Sequence, residues 1–170
     1  MAWWRRRRAA CACCGGRLHE ADRHVRFMLP DAALEAGPWN DEAHWWLSGT
    51  DAGDSSHLEV PGLGSFVRAL LPVHLEGPGM LTYGVWVSVS AADLHRSLDL
   101  WNEDSYPDLV LDAHLANAVP QGRLGAPVRL IVRDPEHAPY CDTSADPDLH
   151  SLLTGVWRAV DGAPTTRVDV

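Results

Sequence analysis

Two cysteines and two histidines near the start of the chain have the residue types and the spacing of a transition-metal site. They follow the pattern Cys11-x2-Cys14-x4-His19-x4-His24. Thiolates and neutral imidazoles at such intervals can supply the four tetrahedral ligands of a zinc ion. The spacing therefore predicts a structural zinc bound by Cys11, Cys14, His19 and His24, in a segment similar to a zinc knuckle with His as the last ligand.

The same segment allows other interpretations. Cys11 and Cys14 can be ordinary half-buried thiols at a turn that begins at Gly15, with His19 and His24 on the surface. A redox dithiol would need a helix N-terminus to lower one thiol pKa, and Gly15 directly after Cys14 disfavours a helix there. The H-E-x-x-H pattern of zinc proteases is excluded, because His19 and His24 are five residues apart and do not share a helix face.

No other stretch carries a catalytic motif, since a nucleophile elbow, a phosphate-binding loop and a dinucleotide fingerprint are all missing from the sequence. The catalytic residues are therefore unknown. The alternative function is a small-molecule enzyme with a site near Trp86, His114 and His137, with Asp134 beside the last as partner of a general base. Cys141 is a further candidate fourth metal ligand, in place of the last histidine of the metal pattern.

The charge distribution indicates the kind of partner. All fourteen basic residues are Arg, and the formal net charge is -9. Because Arg5 to Arg8 concentrate four positive charges in one run, the rest of the chain carries about -13. Such a body repels phosphate backbones, which argues against nucleic acid, and it suits a basic protein partner, as in an immunity-like role that neutralises a toxin. One of Trp45, Trp46 and Trp86 could line the binding groove.

The sequence features that bear on cellular location favour the cytoplasm. No apolar run of signal-peptide length follows the Arg run, and no stretch approaches the roughly 18 apolar residues that span a bilayer. Three of the four cysteines crowd within Cys11 to Cys14, so they do not form a disulfide framework. The expectation is a cytoplasmic protein with reduced thiols and no membrane contact.

Alternating and helical apolar patterns predict the regular elements. A strong turn at Glu76 to Gly79 should join two strands into an antiparallel hairpin. The predicted elements are strands at 66–75, 81–89 and 128–132, a helix from Ala91 capped by Ser90, and a helix from Pro147, capped by Asp146, that carries Trp157. They favour an α+β fold with a mostly antiparallel sheet, a central hairpin and packed helices.

The length of 170 residues suits one hydrophobic core. We expect a single α+β domain at residues 11–160, preceded by a disordered Arg-rich tail at 1–10 and followed by a frayed C-terminus at 161–170.

Six segments, taken in order, resemble the bacterial family called domain of unknown function 2199. The resemblance extends from Cys11 to Trp157 and supports a single domain, but it implies no activity, because the family has no established one. The matching segments are Cys11-x-x-Cys14-Gly15 with His19, Phe27-Met-Leu-Pro-Asp31, Arg68-Ala-Leu-Leu-Pro-Val73, Tyr83-Gly-Val-Trp-Val-Ser88, Leu100-Trp101 and Leu115-Ala-Asn117.

Overall fold

The computed structural model describes residues 22–36, 45–51, 54–160 and 163–168. The predicted tail at 1–10 lies outside them, so the proposed domain boundaries stay a prediction. In chain order the elements are β1 (Arg23–Arg26), α1 (Asp31–Glu35), β2 (His57–Val60), β3 (Gly64–Leu75), β4 (Met80–Val89), α2 (Ala91–Leu100), a 3₁₀ turn (Tyr106–Asp108), β5 (Val110–Leu115), β6 (Pro127–Ile131), β7 (Tyr140–Thr143), α3 (Pro147–Thr154), β8 (Val156–Val160) and β9 (Ala163–Val168).

Five of these strands close into a barrel. β3, β4, β5, β6 and β7 pair in that order, each antiparallel to the next. β7 then returns to β3 through one parallel pair, Leu70 and Tyr140. The remaining strands extend this barrel: β1 lies parallel to β4, β2 antiparallel to β3, and β8 parallel to the end of β3, where it carries β9.

The predicted mixture of helices with a large sheet and a central hairpin is confirmed, but the sheet is not simply antiparallel. Closure and the three parallel pairings were not predicted. The hairpin itself follows from alternation, since Val67 lies opposite Val87 and Leu71 opposite Tyr83, and the turn contains Gly77 at a φ of 92°, a left-handed conformation that favours glycine.

The two faces of the β3–β4 hairpin belong to different cores. The main core contains Val67, Val85 and Cys141 from the barrel, together with Leu94 of α2 and Leu149 of α3. A smaller core on the opposite face contains Phe66 and Trp86. Because neighbouring strand residues point to opposite faces, the hairpin is buried on both sides. The outer members of the smaller core are Leu29, Ala33, Leu58, Val60 and Ala116.

Both predicted helix starts are confirmed. Ser90 Oγ accepts a hydrogen bond from the Asp93 amide at 3.0 Å, and Asp146 Oδ1 accepts from the Leu149 amide at 3.0 Å. These side chains satisfy amide groups that have no partner within the first helical turn. The predicted positions of α2 and α3 are therefore correct at their N-termini.

The end of the chain differs from the prediction in two respects. α3 ends at Thr154, so Trp157 lies in β8 and not on a helix. Gly155 has an extended backbone, and a Cβ there would come within 2.8 Å of the Ser151 carbonyl oxygen. Residues 163–168, expected to be frayed, form β9 because β8 offers them a strand edge.

Candidate functional site

Arg68 and Trp86 form the centre of a buried polar cluster. They are opposite each other on β3 and β4, and the Arg68 guanidinium carbon lies 4.2 Å from the centroid of the Trp86 ring. The same guanidinium donates to the carbonyls of Phe27 at 2.9 Å and Ser55 at 3.2 Å. Both side chains are almost fully buried, so this cation–π pair joins chain segments rather than facing a ligand.

Asn117 extends the cluster towards α1. Its Oδ1 accepts from the Trp86 amide at 2.7 Å, and its Nδ2 donates to the Leu29 carbonyl and to Asp31 Oδ1, each at 2.8 Å. Asp31 Oδ2 in turn accepts from the Ala118 amide at 2.7 Å. One buried amide thus ties β4, the segment after β5 and the start of α1 together.

These contacts give a structural meaning to four of the segments that carry the family resemblance. The segments containing Asp31, Arg68, Trp86 and Asn117 are far apart in sequence but meet in this cluster. Because Trp86 is fully buried, it cannot line an open groove. Trp45 instead lines a concavity of about 610 Å³ at the β2–β3 turn, and Trp46 is half-buried against the smaller core.

His57 lies at the centre of a second polar arrangement. Its Nδ1 is 3.1 Å from Ser48 Oγ and its Nε2 is 3.0 Å from Ser97 Oγ. Ser48 Oγ already accepts from the amides of Ser56 and His57. Its hydroxyl hydrogen must therefore donate to Nδ1, which leaves Nε2 as the donor to Ser97.

This arrangement does not make Ser48 a nucleophile. The lone pairs of its Oγ are held by two backbone amides, and burial lowers the pKa of His57 to about 4. A base with that pKa accepts a proton poorly at neutral pH. Ser97, on the other side of the ring, is fully buried. The three side chains are therefore a structural link between α2, β2 and the segment before it.

A pH-dependent loss of stability follows from the buried His57 ring. The unfolded chain takes up a proton near pH 6.5, whereas the folded chain resists protonation until about pH 4, so acid favours unfolding within this window. Between pH 7.5 and pH 5 we expect this to lower the free energy of unfolding by about 2 kcal/mol.

Urea denaturation of the unsubstituted chain and of His57→Gln measures the effect. The glutamine side chain does not titrate, so the difference in the free energy of unfolding between the two proteins should shrink by about 2 kcal/mol as the pH falls from 7.5 to 5. The other titrating groups are shared by both proteins, so their contributions cancel in this difference. A stability difference that stays constant with pH would contradict a neutral, buried His57.

The predicted metal ligands are only partly within the described chain. Cys11, Cys14 and His19 lie outside it. His24 lies half-buried on β1, and burial lowers its pKa, although the Asp22 carboxylate raises it in part. No group of three or more metal-binding side chains occurs among the residues that the structure describes. Cys141 belongs to the main core, where burial raises its thiol pKa to about 12, so it is not a ready ligand.

The three residues of the enzyme alternative do not meet. Trp86 is buried, whereas His114 is exposed and pairs with Pro127 at one end of the β5–β6 ladder. His137 lies in the loop after β6, beyond the opposite end of the β5–β6 ladder. That end of the ladder is about 13 Å from His114 along the strands. His114 lines a separate open concavity of about 530 Å³.

His137 does have the local partners that a general base needs. Its Nδ1 is 3.5 Å from Asp134 Oδ2 and 3.3 Å from the Tyr140 hydroxyl, and its backbone carbonyl accepts from the Tyr106 hydroxyl at 2.9 Å. The Tyr106 bond fixes the loop against the 3₁₀ turn. These contacts hold the loop in place beside the end of α2.

The surface at the end of α2 is strongly acidic. We define the acidic face as Asp99, Glu103, Asp104 and Asp108, all exposed. In the described part of the chain, none of these carboxylates lies within ion-pair distance of an arginine. Four arginines elsewhere in the described chain are paired with acids: Arg96 with Asp93, Arg123 with Asp146 and Asp148, Arg133 with Asp142, and Arg158 with Glu76.

A cavity of about 300 Å³ lies within this face. Apolar rings form much of its lining, contributed by Trp101, Tyr106, Pro107 and Pro135. Asn102, Glu103 and Asp104 complete the lining. This stretch was expected only to be the end of a helix, although its charge is visible in the sequence, where four acids occur between residues 99 and 108 with no arginine among them.

Comparison with known proteins identifies the family. The family model described as "uncharacterized protein conserved in bacteria" (DUF2199) matches residues 10–156. The chain belongs to DUF2199. The expected resemblance is thus confirmed. No curated protein and no solved structure matches the chain.

The DUF2199 region contains both the buried cluster around Trp86 and the acidic face, and it ends where β8 begins. None of the helices in the described ranges has the length and apolar character needed to cross a membrane.

Proposed function

We propose that this DUF2199 protein is a protein-binding domain that recognises a basic partner through its acidic face. The observation that carries the proposal is the concentration of exposed carboxylates at Asp99, Glu103, Asp104 and Asp108, where no described arginine balances them. Such a field raises the association rate of a positively charged surface and disfavours acidic competitors. Neutralisation of a basic toxin, an immunity-like role in the cytoplasm, is one concrete form of this function.

The geometry gives less support to an enzyme. His57 and Arg68 resemble catalytic machinery but are buried and bonded to the chain itself. His137 has local partners in Asp134 and Tyr140, but the other two residues of the alternative site do not join it. His114 is opposite Ser88, two residues along β4 from Trp86, but its side chain is exposed whereas Trp86 is fully buried, and His137 lies beyond the other end of the β5–β6 ladder. A binding function needs only the exposed face, and that face is present.

Photo-crosslinking in the bacterium that makes the protein tests the proposal. A benzoylphenylalanine placed at Asn102, within the acidic face, should capture a protein with a basic surface. The same probe at Arg129, exposed on the outer side of β6, is the matched control and should not capture it. Capture of the same proteins from both positions, or of an acidic protein from Asn102, would contradict the assignment.

We also propose that Cys11, Cys14, His19 and His24 hold a structural zinc. The ligand spacing supports it, together with the position of His24 on β1, where a bound metal would tie the preceding segment to the sheet.

Protein purified without chelator should contain close to one zinc per chain, measured by elemental analysis, because two thiolates and two imidazoles complete a tetrahedral site. Cys11→Ser combined with Cys14→Ser should remove the metal. Cys13→Ser is the matched control and should retain it. Metal-free protein, or equal loss in both variants, would rule the site out.

A further inference from the structure

We propose that the cavity between Trp101, Tyr106 and Pro135 binds one arginine side chain of the basic partner. This inference rests on the proposed function and names the group that the acidic face recognises. The cavity lies between α2, the 3₁₀ turn and the β6–β7 loop.

The walls of the cavity are built to stay in place. The Trp101 ring lies 5.2 Å from the Tyr106 ring and edge-on to His57 at 5.3 Å, measured between centroids. The Tyr106 hydroxyl donates to the His137 carbonyl, which ties this almost fully buried ring to the β6–β7 loop, and the half-buried Trp101 ring packed against it is the more accessible aromatic wall. A preformed site of this kind loses little conformational entropy when a ligand enters.

The size of the cavity limits its occupant. About 300 Å³ is at the lower end of the volumes of small-molecule sites. It suits one extended side chain better than a cofactor. The aromatic and proline walls would cover the apolar stem of that side chain, because long cationic side chains commonly lay their methylene groups along apolar surface while the charged end stays solvated.

The charge around the cavity determines which kind of side-chain end group binds there. Glu103 and Asp104 both line it, and no arginine of the described residues is paired with either. A cation is therefore favoured over a neutral or acidic group. Arginine is favoured over lysine, because a planar guanidinium can stack on an aromatic ring while donating to a carboxylate in the same plane.

A blocked peptide, Gly-Ser-Arg-Ser-Gly, added to the full chain is the direct probe, with binding followed by two-dimensional NMR. Saturable shifts are expected at the Trp101 indole and at the amides of Glu103 and Tyr106. The same peptide with citrulline, the neutral analogue of arginine, should bind at least about tenfold more weakly. The lysine peptide should fall between them.

Two charge-neutralised variants provide the matched pair. Glu103→Gln with Asp104→Asn should weaken arginine-peptide binding about tenfold. Glu59→Gln with Asp112→Asn changes the net charge equally on other surfaces and should leave it unchanged. All four positions are exposed, so folding should be preserved, which the spectra themselves verify.

The outcomes separate this inference from the proposed function. Equal binding of the citrulline peptide, shifts located elsewhere, or no shift at about 20 mM peptide would overturn the arginine pocket. A basic partner whose affinity depends on the acidic face but not on the Glu103 and Asp104 pair would also overturn the pocket, while leaving the face intact. Absence of any basic partner would instead remove the proposed function.

Discussion

Replacement of Arg68 by Met is expected to lower the free energy of unfolding by about 3–5 kcal/mol. The substitution removes the donor for the carbonyls of Phe27 and Ser55 and the cation stacked on Trp86. Each buried carbonyl left without a donor costs about 1–3 kcal/mol, and the lost cation–π contact adds to this. Methionine preserves most of the stem volume, so the loss reports the guanidinium itself.

Chemical denaturation followed by tryptophan fluorescence measures this effect. Arg158→Met is the matched control, since Arg158 pairs with Glu76 on the surface, where its side chain is 60% exposed, and its loss should leave stability nearly unchanged. Arg68→Lys should be less stable than the unsubstituted chain but more stable than Arg68→Met, because a single ammonium cannot donate to both carbonyls and stack on Trp86 as the planar guanidinium does. Equal stability of the two Met variants would show that the buried cluster does not hold the fold together.

Asn117→Asp is expected to lower the free energy of unfolding by about 3–4 kcal/mol at neutral pH. The new carboxylate keeps the acceptor for the Trp86 amide but loses the donor to Leu29. It also places a second negative charge where the amide nitrogen now lies 2.8 Å from Asp31 Oδ1, and like charges at that distance repel in a partly buried site.

Exchange of the side chains at positions 31 and 117 tests whether charge repulsion between them contributes to this loss of stability. Asp31→Asn in the Asn117→Asp background restores an amide facing a carboxylate, so the double variant should be more stable than the sum of the single losses predicts, by more than about 1 kcal/mol. Urea denaturation of the unsubstituted chain, the two single variants and the double variant gives the four free energies of unfolding of this double-mutant cycle. Strictly additive losses would mean that residues 31 and 117 do not interact.

Local chemistry made part of this fold predictable. Ser90 and Asp146 marked helix starts because a side-chain acceptor before a helical apolar pattern satisfies otherwise unpaired amides. The hairpin was predictable because alternation and a glycine turn lie within 25 residues of sequence. The end of α3 was missed because Leu152, Leu153 and Trp157 continue a helical pattern, while Gly155 turns the backbone into an extended conformation.

Long-range contacts made the rest unpredictable. The barrel closes through Leu70 and Tyr140, a pairing that no local pattern specifies. Arg68 alternates along β3 like a solvent-facing residue, yet it is buried because the segment carrying Phe27 covers that face. The acidic face was visible as a charge run, but its relation to Pro135 depends on how the β6–β7 loop folds back.

Isothermal titration with the basic protein captured at Asn102 tests the central claim most directly. Neutralisation of the acidic face, with Asp99→Asn, Glu103→Gln, Asp104→Asn and Asp108→Asn together, should weaken binding about 30-fold, with a shallower dependence on salt. A control with Glu35→Gln, Glu59→Gln, Asp112→Asn and Asp148→Asn carries the same change in net charge and should bind as the unsubstituted chain does. Equal affinity of the two variants would show that recognition does not depend on the acidic face.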